Sequence, residues 1–364
     1  ATMSTAILRA TKLPISGPYP TLDPFLFCVY HHDEYPADES GGKMETTWPG
    51  NGSDFDPHRP YRMYHGHHIP GFPQHPHRGF ETITATMEGL IDHADSVGNA
   101  GRYGEGDVQW MTAGKGIVHG EMFPLVHADR PNHLRLFQIW LNLPAKSKFV
   151  QPSFAMFWNS DIPVYTTEDS KASVTVWAGD YFFLDENNDV TQKNSPPPDS
   201  WAADPSNDVA VLHITVQPGG SIVIPKANNT DDGIINRSMF LIEGHESNVK
   251  VDGKIISEKV CLTLDATKDV PIELLDEAAT TEEVQFLLLQ GKPINEAVAQ
   301  HGPFVMNTQS EIRDAFMDYQ RTQFGGWPWP KDDMVFPQDK GRFALIDGKE
   351  TRPPSSIDET SCTS

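Results

Sequence analysis

Short apolar runs, each closed by a cluster of Gly, Pro, Asn or Asp, recur along most of the chain. LRLFQIWLNLP (134–144), ASVTVWAGDYFF (172–183), VAVLHITVQPGGSIVIP (209–225) and RSMFLIEG (237–244) are examples. Runs of this length, rich in β-branched and aromatic residues, predict strands, and turn signals between them predict a sandwich or barrel. Helical periodicity is scarce. The exception is NTQSEIRDAFMDYQRTQF (307–324), which predicts a helix with Asn307 or Thr308 as N-cap and Glu311 three residues after Thr308. Ile312, Phe316 and Tyr319 fall on one face of it, so it is expected to pack across a sheet.

The strand pattern contains an internal echo. FETITATMEGLIDHADSVGNAGRYGEGDVQWMTAGKG (80–116) runs strand, turn, strand, turn, strand, and INRSMFLIEGHESNVKVDGKIISEKVCLTLDATKD (235–269) repeats that order, with Glu243-Gly244 in the place of Glu88-Gly89. Two similar β-barrels are therefore expected, and a chain of 364 residues exceeds the roughly 250 at which single cores stop growing. The expected division is a first barrel over 1–150, a second over 151–306, and a helix with an irregular tail over 307–364. Two stretches read as linkers or long loops: 185–208, and the end from Trp327 onward. The 30 prolines and 28 glycines punctuate apolar runs and form no low-complexity block.

Composition narrows the function. Apolar residues make up 38% of the chain, and no run nears the roughly 18 needed to span a bilayer, so no membrane role is expected. A formal charge of −22 argues against direct nucleic acid binding, which depends on Lys and Arg neutralising phosphates. Cys28, Cys261 and Cys362 are widely separated, which gives neither a disulfide framework nor a Cys-type zinc site and fits a reducing compartment. A cytoplasmic or nuclear location follows. Ala1-Thr2 ahead of Met3 leaves organellar targeting by a removed segment open.

The candidate chemistry lies in PGFPQHPHRGFET (70–82) and TAGKGIVHGEMFP (112–124). Residues i and i+2 of a strand share a side, so His75 and His77 can present two imidazoles to one point, with Pro76 restricting the backbone between them. Gly114 and Gly116 allow a tight turn into a strand where His119 and Glu121 have the same spacing. A lone H-x-H is a weak signal; two such pairs in a barrel pattern are a strong one. Three imidazoles and a carboxylate suit Fe(II), and equally Mn, Co, Ni, Cu or Zn. Glu81 shares strand parity with His75 and His77, so it stands as an alternative ligand or as a partner of a histidine. His65, His67 and His68 in YHGHH read as a loop near the barrel mouth. His93, His127, His133, His213, His245 and His301 read as isolated surface or satisfied core residues.

These motifs, with LRLFQIWLNLP, GKPINEAVAQHGPFVMNTQSEI and RTQFGGWPWP in the same order, resemble the pirin family of the cupin superfamily from about residue 20 to 345. The resemblance implies a bicupin whose N-terminal barrel holds one divalent metal, usually iron, through His75, His77, His119 and Glu121, and whose C-terminal barrel has lost its metal. Gly120 departs from the pattern, where Ala, Ser or Cys is expected. The resemblance also implies a quercetin 2,3-dioxygenase-like activity, with a small aromatic substrate and dioxygen. Glu121 would act as general base on a flavonol hydroxyl; from the residues themselves, Gln138 reads as orienting the substrate or as an outward-facing strand residue, and Phe72, Phe80 and Trp110 as lining an aromatic-accepting cavity or as core. Animal pirins imply an alternative, a redox-sensing iron protein that binds a protein partner such as a transcription factor. No Lys/Arg run marks nuclear import here, and the charge would need a basic patch on that partner. A third implication is another metal-dependent cupin activity.

Overall fold

The structure is a computed structural model and describes residues 5–14, 17–56, 58–180, 195–244, 249–275 and 282–354. Its strands, all antiparallel within their sheets, build two barrels of two sheets each. In the first, a five-stranded sheet runs Ser153–Phe157, Val108–Thr112, Phe80–Glu88, Asn132–Asn142, Phe25–Tyr35. The other sheet of that barrel has six strands: Lys349–Thr351, Phe343–Ile346, Ala100–Gly104, Leu90–Asp95, Ile117–Met122, Gly71–His77. The second barrel pairs a seven-stranded sheet with a four-stranded one, and its interior is filled by residues such as Ile214, Leu241, Ile272 and Phe286.

The barrels meet through one apolar layer. Ile83, Trp110, Phe137 and Ile139 project from the five-stranded sheet onto Trp177, Val211, Phe240 and Leu287 of the seven-stranded one. Period two then sends the intervening residues Thr84, Leu136 and Gln138 the other way, into the first barrel. Each fully buried large side chain of the seam contributes about 1.5–3 kcal/mol. Lys148 adds a polar stitch, its Nζ donating to the Gly79 and Val305 carbonyls at 2.9 and 3.1 Å. Gly79 has φ +87°, and a Cβ there would lie 1.9 Å from the Val305 carbonyl oxygen.

Three segments cross the divisions expected from sequence. Ile7–Lys12 pairs with Val260–Leu264 in the second barrel, and Ser153–Phe157 pairs with Val108–Thr112 in the first. The tail, expected to be irregular, forms the hairpin Phe343–Ile346 and Lys349–Thr351, which extends the first barrel beside Ala100–Gly104. Its anchor is Arg102, fully buried, whose Nε and second terminal nitrogen each lie 2.7 Å from an Asp92 oxygen. The same guanidinium donates to the carbonyls of Phe336, Pro337 and Lys340. Such a segment is shaped by its partner, and its own periodicity carries no trace of that.

The α-helix among the described residues is Gln309–Thr322, capped by Thr308 in a reciprocal box with Glu311. Its Ile312 and Ala315 pack on the hairpin Ala299–His301 and Phe304–Met306. That hairpin touches the first barrel through an Arg78–Phe304 bridge, which carries the turn residues Gly302 and Pro303 to the cavity described next.

Candidate metal centre

Strand register builds the site. Gly71–His77 runs antiparallel to Ile117–Met122 with His75 opposite His119, and Leu90–Asp95 lies on the other side with Asp95 opposite His119 and His93 opposite Glu121. The ligating atoms of His75, His77 and His119 lie within 4.8 Å of one another, so these three form a group able to hold a metal ion.

The electrostatics favour neutral imidazoles. Burial pushes His75 down to about 4 and holds His77 and His119 well below the ordinary histidine value. His75 Nδ1 lies 2.8 Å from the Pro73 carbonyl, which fixes its proton there and leaves Nε2 a free lone pair. His77 Nδ1 lies 3.4 Å from the carbonyl of Pro303. Fully buried His119 has no hydrogen-bond partner on either nitrogen among the described residues. Buried polar atoms seldom go unsatisfied, and a cation bound among the three rings removes this cost. The donor set therefore fits a divalent transition metal.

Glu121 sits at the edge of this group. Its Oε2 is 4.0 Å from His119 Nε2 and 3.2 Å from Gln138 Nε2, and its Oε1 is 3.1 Å from Thr84 Oγ1. Burial raises its carboxyl above the usual range. His93, expected on the surface or as a satisfied core residue, is a core residue satisfied on one side, fully buried beside His119 with Nε2 3.2 Å from Asp95 and Nδ1 unpartnered among the described residues.

A cavity of about 670 Å³ opens over the cluster. Phe72, Phe123, Leu136 and Trp140 form apolar walls, Gln138 and Glu121 a polar strip, and His65 and Met63 part of the rim. Three expectations are corrected. Phe80 is buried behind the lining, edge-on to His77 and 4.3 Å from the Trp140 ring. Trp110 faces the second barrel, because its strand is buried on both sides and sequence does not say which side is the cavity. Glu81 also points away: the break at Arg78-Gly79 resets strand parity, and its carboxylate takes Thr112 Oγ1 at 2.7 Å and Ser200 Oγ at 2.5 Å. Burial raises that carboxyl to about 7.

Of the remaining histidines, His67 and His68 are exposed, and His213 is stacked on Trp177 and bonded to Gln285. His127 and His133 line a separate surface pocket, His301 is exposed, and His245 lies outside the described residues. The His31–Asp33 pair, which sequence reading passes over, borders the cavity through His31. Its signal was the same i, i+2 spacing within FLFCVYHHDEY. A Cβ at Gly120 would meet only ordinary contacts, the nearest 3.5 Å away, so the departure noted there is structurally mild.

The family description Pirin matches residues 40–141, and the description Pirin C-terminal cupin domain matches 211–325. A pirin-like protein of Solanum lycopersicum is 34% identical over 250 residues, covering 69% of this chain and 75% of that protein. The chain belongs to the pirin family. A second pirin-like protein, from Caulobacter vibrioides, is 33% identical over 257 residues, 71% of this chain and 82% of its own. Among solved structures, quercetin 2,3-dioxygenase from Acinetobacter baumannii aligns with a TM-score of 0.64 at 25% identity, covering 88% of this chain and 99% of that one. The histidine cluster falls in the part matched as Pirin. The part matched as the C-terminal cupin domain contributes no comparable metal-holding group among the described residues.

Proposed function

We propose that this pirin-family chain is a metal-dependent dioxygenase that opens a flavonol or a similar aromatic enol, with iron as the metal. The carrying observation is His119, buried with neither nitrogen hydrogen-bonded among the described residues and grouped with His75 and His77, which line a largely apolar cavity. His75, His77 and His119 would hold the metal, with Glu121 as a fourth ligand or as a base beside it. A bound transition metal supplies a Lewis-acidic, redox-active centre to which an enol oxygen and dioxygen can be directed. The donor set alone admits Mn, Co, Ni, Cu or Zn as well; the choice of iron rests on the family resemblance.

The chain's own residues account for the rest. Phe72, Phe123, Leu136 and Trp140 bury the rings of a planar ligand and exclude water, and the volume falls within the range of small-molecule sites. Gln138 and Thr84 hold the Glu121 carboxylate on the cavity side, where an oxygen can take the proton of the enol hydroxyl. Gly302 and Pro303, from the separate hairpin Ala299–His301 and Phe304–Met306, complete the mouth, which gives that hairpin a structural part in the site. The solved relative named as a quercetin 2,3-dioxygenase supports this substrate class.

The test is oxygen uptake with a panel of flavonols, using protein reconstituted anaerobically with Fe(II). Uptake matched to flavonol consumption and abolished in His119→Ala is expected. No uptake with iron or any of the other five metals overturns the reading.

A further inference from the structure

A second polar pair lies in the cavity wall away from the histidine cluster. The strand Phe25–Tyr35 is the edge of the five-stranded sheet, with Val29 opposite Gln138 and His31 opposite Leu136. Val29 and His31 both line the cavity, and two residues of extended chain set His31 about 7 Å along the strand from Val29, the residue opposite the Gln138 that bonds Glu121. Phe72 stands between the poles, its ring centroid 6.2 Å from that of His31 and 6.2 Å from that of His75.

His31 and Asp33 are 2% and 0% exposed, and His31 Nδ1 lies 3.1 Å from Asp33 Oδ2. Asp33 Oδ1 accepts the Arg62 backbone N–H at 2.9 Å, and the Arg62 guanidinium is 3.6 Å away, so the carboxylate is held in place by charge and hydrogen bond together. A carboxylate accepts, so Nδ1 carries a proton, and in that tautomer of the neutral ring the lone pair is on Nε2. Nε2 has no hydrogen-bond partner among the described residues, and the neighbours of the ring are Phe72 and Phe123. The wall thus offers one oriented acceptor in apolar surroundings.

We propose that His31, oriented by Asp33, accepts a hydrogen bond from a phenolic hydroxyl at the end of the ligand remote from the metal, so that the cavity selects flat aromatic ligands bearing a free hydroxyl there. This rests on reading the cavity as a flavonol site. The enol end lies against the histidine cluster and Glu121, the rings against the apolar walls, and the remote hydroxyl against Nε2. Methylating that hydroxyl removes the donor, and deleting it leaves the acceptor dry and unpaired.

The test is calorimetric binding to the Zn(II)-loaded protein, which is redox-silent, of three flavonols that differ only in a 4′-hydroxyl, 4′-methoxyl or 4′-hydrogen. The hydroxyl form is expected to bind about tenfold more tightly than either of the others, the size of one buried hydrogen bond. His31→Phe should bring that ratio close to one with zinc content unchanged, whereas His31→Gln, which keeps an acceptor, should retain part of it. Should His31→Phe not fold, His31→Leu serves the same purpose. Equal affinities in the wild-type protein, or a preference that survives His31→Phe or His31→Leu, overturns the inference and leaves the flavonol reading standing. Binding of none of the three overturns both.

Discussion

His75 and His119 face each other across one antiparallel strand pair, with ring centroids 4.5 Å apart. Strand register brings the two rings together. His119→Ala should therefore lower the content of tightly bound metal, measured by elemental analysis of freshly purified protein, while the circular dichroism of the fold stays as in wild type. An affinity loss of at least about 100-fold is expected, since even outer partners of ligands cost about 10–100-fold.

Metal removal should be visible in stability. An ion that binds only the folded state adds about 2.7 kcal/mol when its free concentration is 100 times the Kd. Chelation should lower the melting temperature of the wild-type protein and leave that of His119→Ala almost unmoved. Differential scanning calorimetry with and without chelator checks this.

Gln138→Leu should slow turnover without emptying the metal site. The substitution removes the donor at 3.2 Å from Glu121 Oε2 and leaves the three imidazoles untouched. A fall in kcat of about fivefold is expected, in line with about 1 kcal/mol for a hydrogen bond. Metal content equal to wild type is the control.

Glu81→Gln should flatten the dependence of stability on pH. The folded carboxyl is raised to about 7 from its ordinary 4.5, so the folded state binds the extra proton between those values. This contribution is fully present below about pH 4.5 and is lost as pH rises through about 7, amounting to about 3 kcal/mol. Urea melts at pH 5 and pH 8 should show the wild-type protein losing that much more stability than the variant.

Arg102→Ala should release the C-terminal hairpin. It leaves Asp92 buried without its partner, a change that costs about 3–5 kcal/mol, and strips donors from the carbonyls of Phe336, Pro337 and Lys340. Fast amide exchange over Phe343–Ile346, with the second barrel still protected, is the expected pattern.

The histidine cluster was legible because two i, i+2 pairs and a glycine turn are local features that survive any detail of packing. Glu81 misled because parity counting assumes an unbroken strand, and Gly79, with its positive φ, ends one strand and begins another. Trp110 and Phe80 were legible as buried but not as lining, since a strand with apolar residues on both faces does not declare which face meets the cavity. His93 and His31 lacked a second histidine at the expected offset; each is paired with an aspartate two residues on, a pattern that draws attention only once the packing around it is known. The hairpin at 343–351 is built by pairing with a distant strand, and composition over a few residues cannot encode that.

The two ends of the chain are exchanged between the barrels: Ile7–Lys12 completes the sheet of the second, and Phe343–Ile346 lengthens the sheet of the first. Neither barrel cut out on its own would keep its full complement of strands, so the two are expected to be stable only as one cooperative unit.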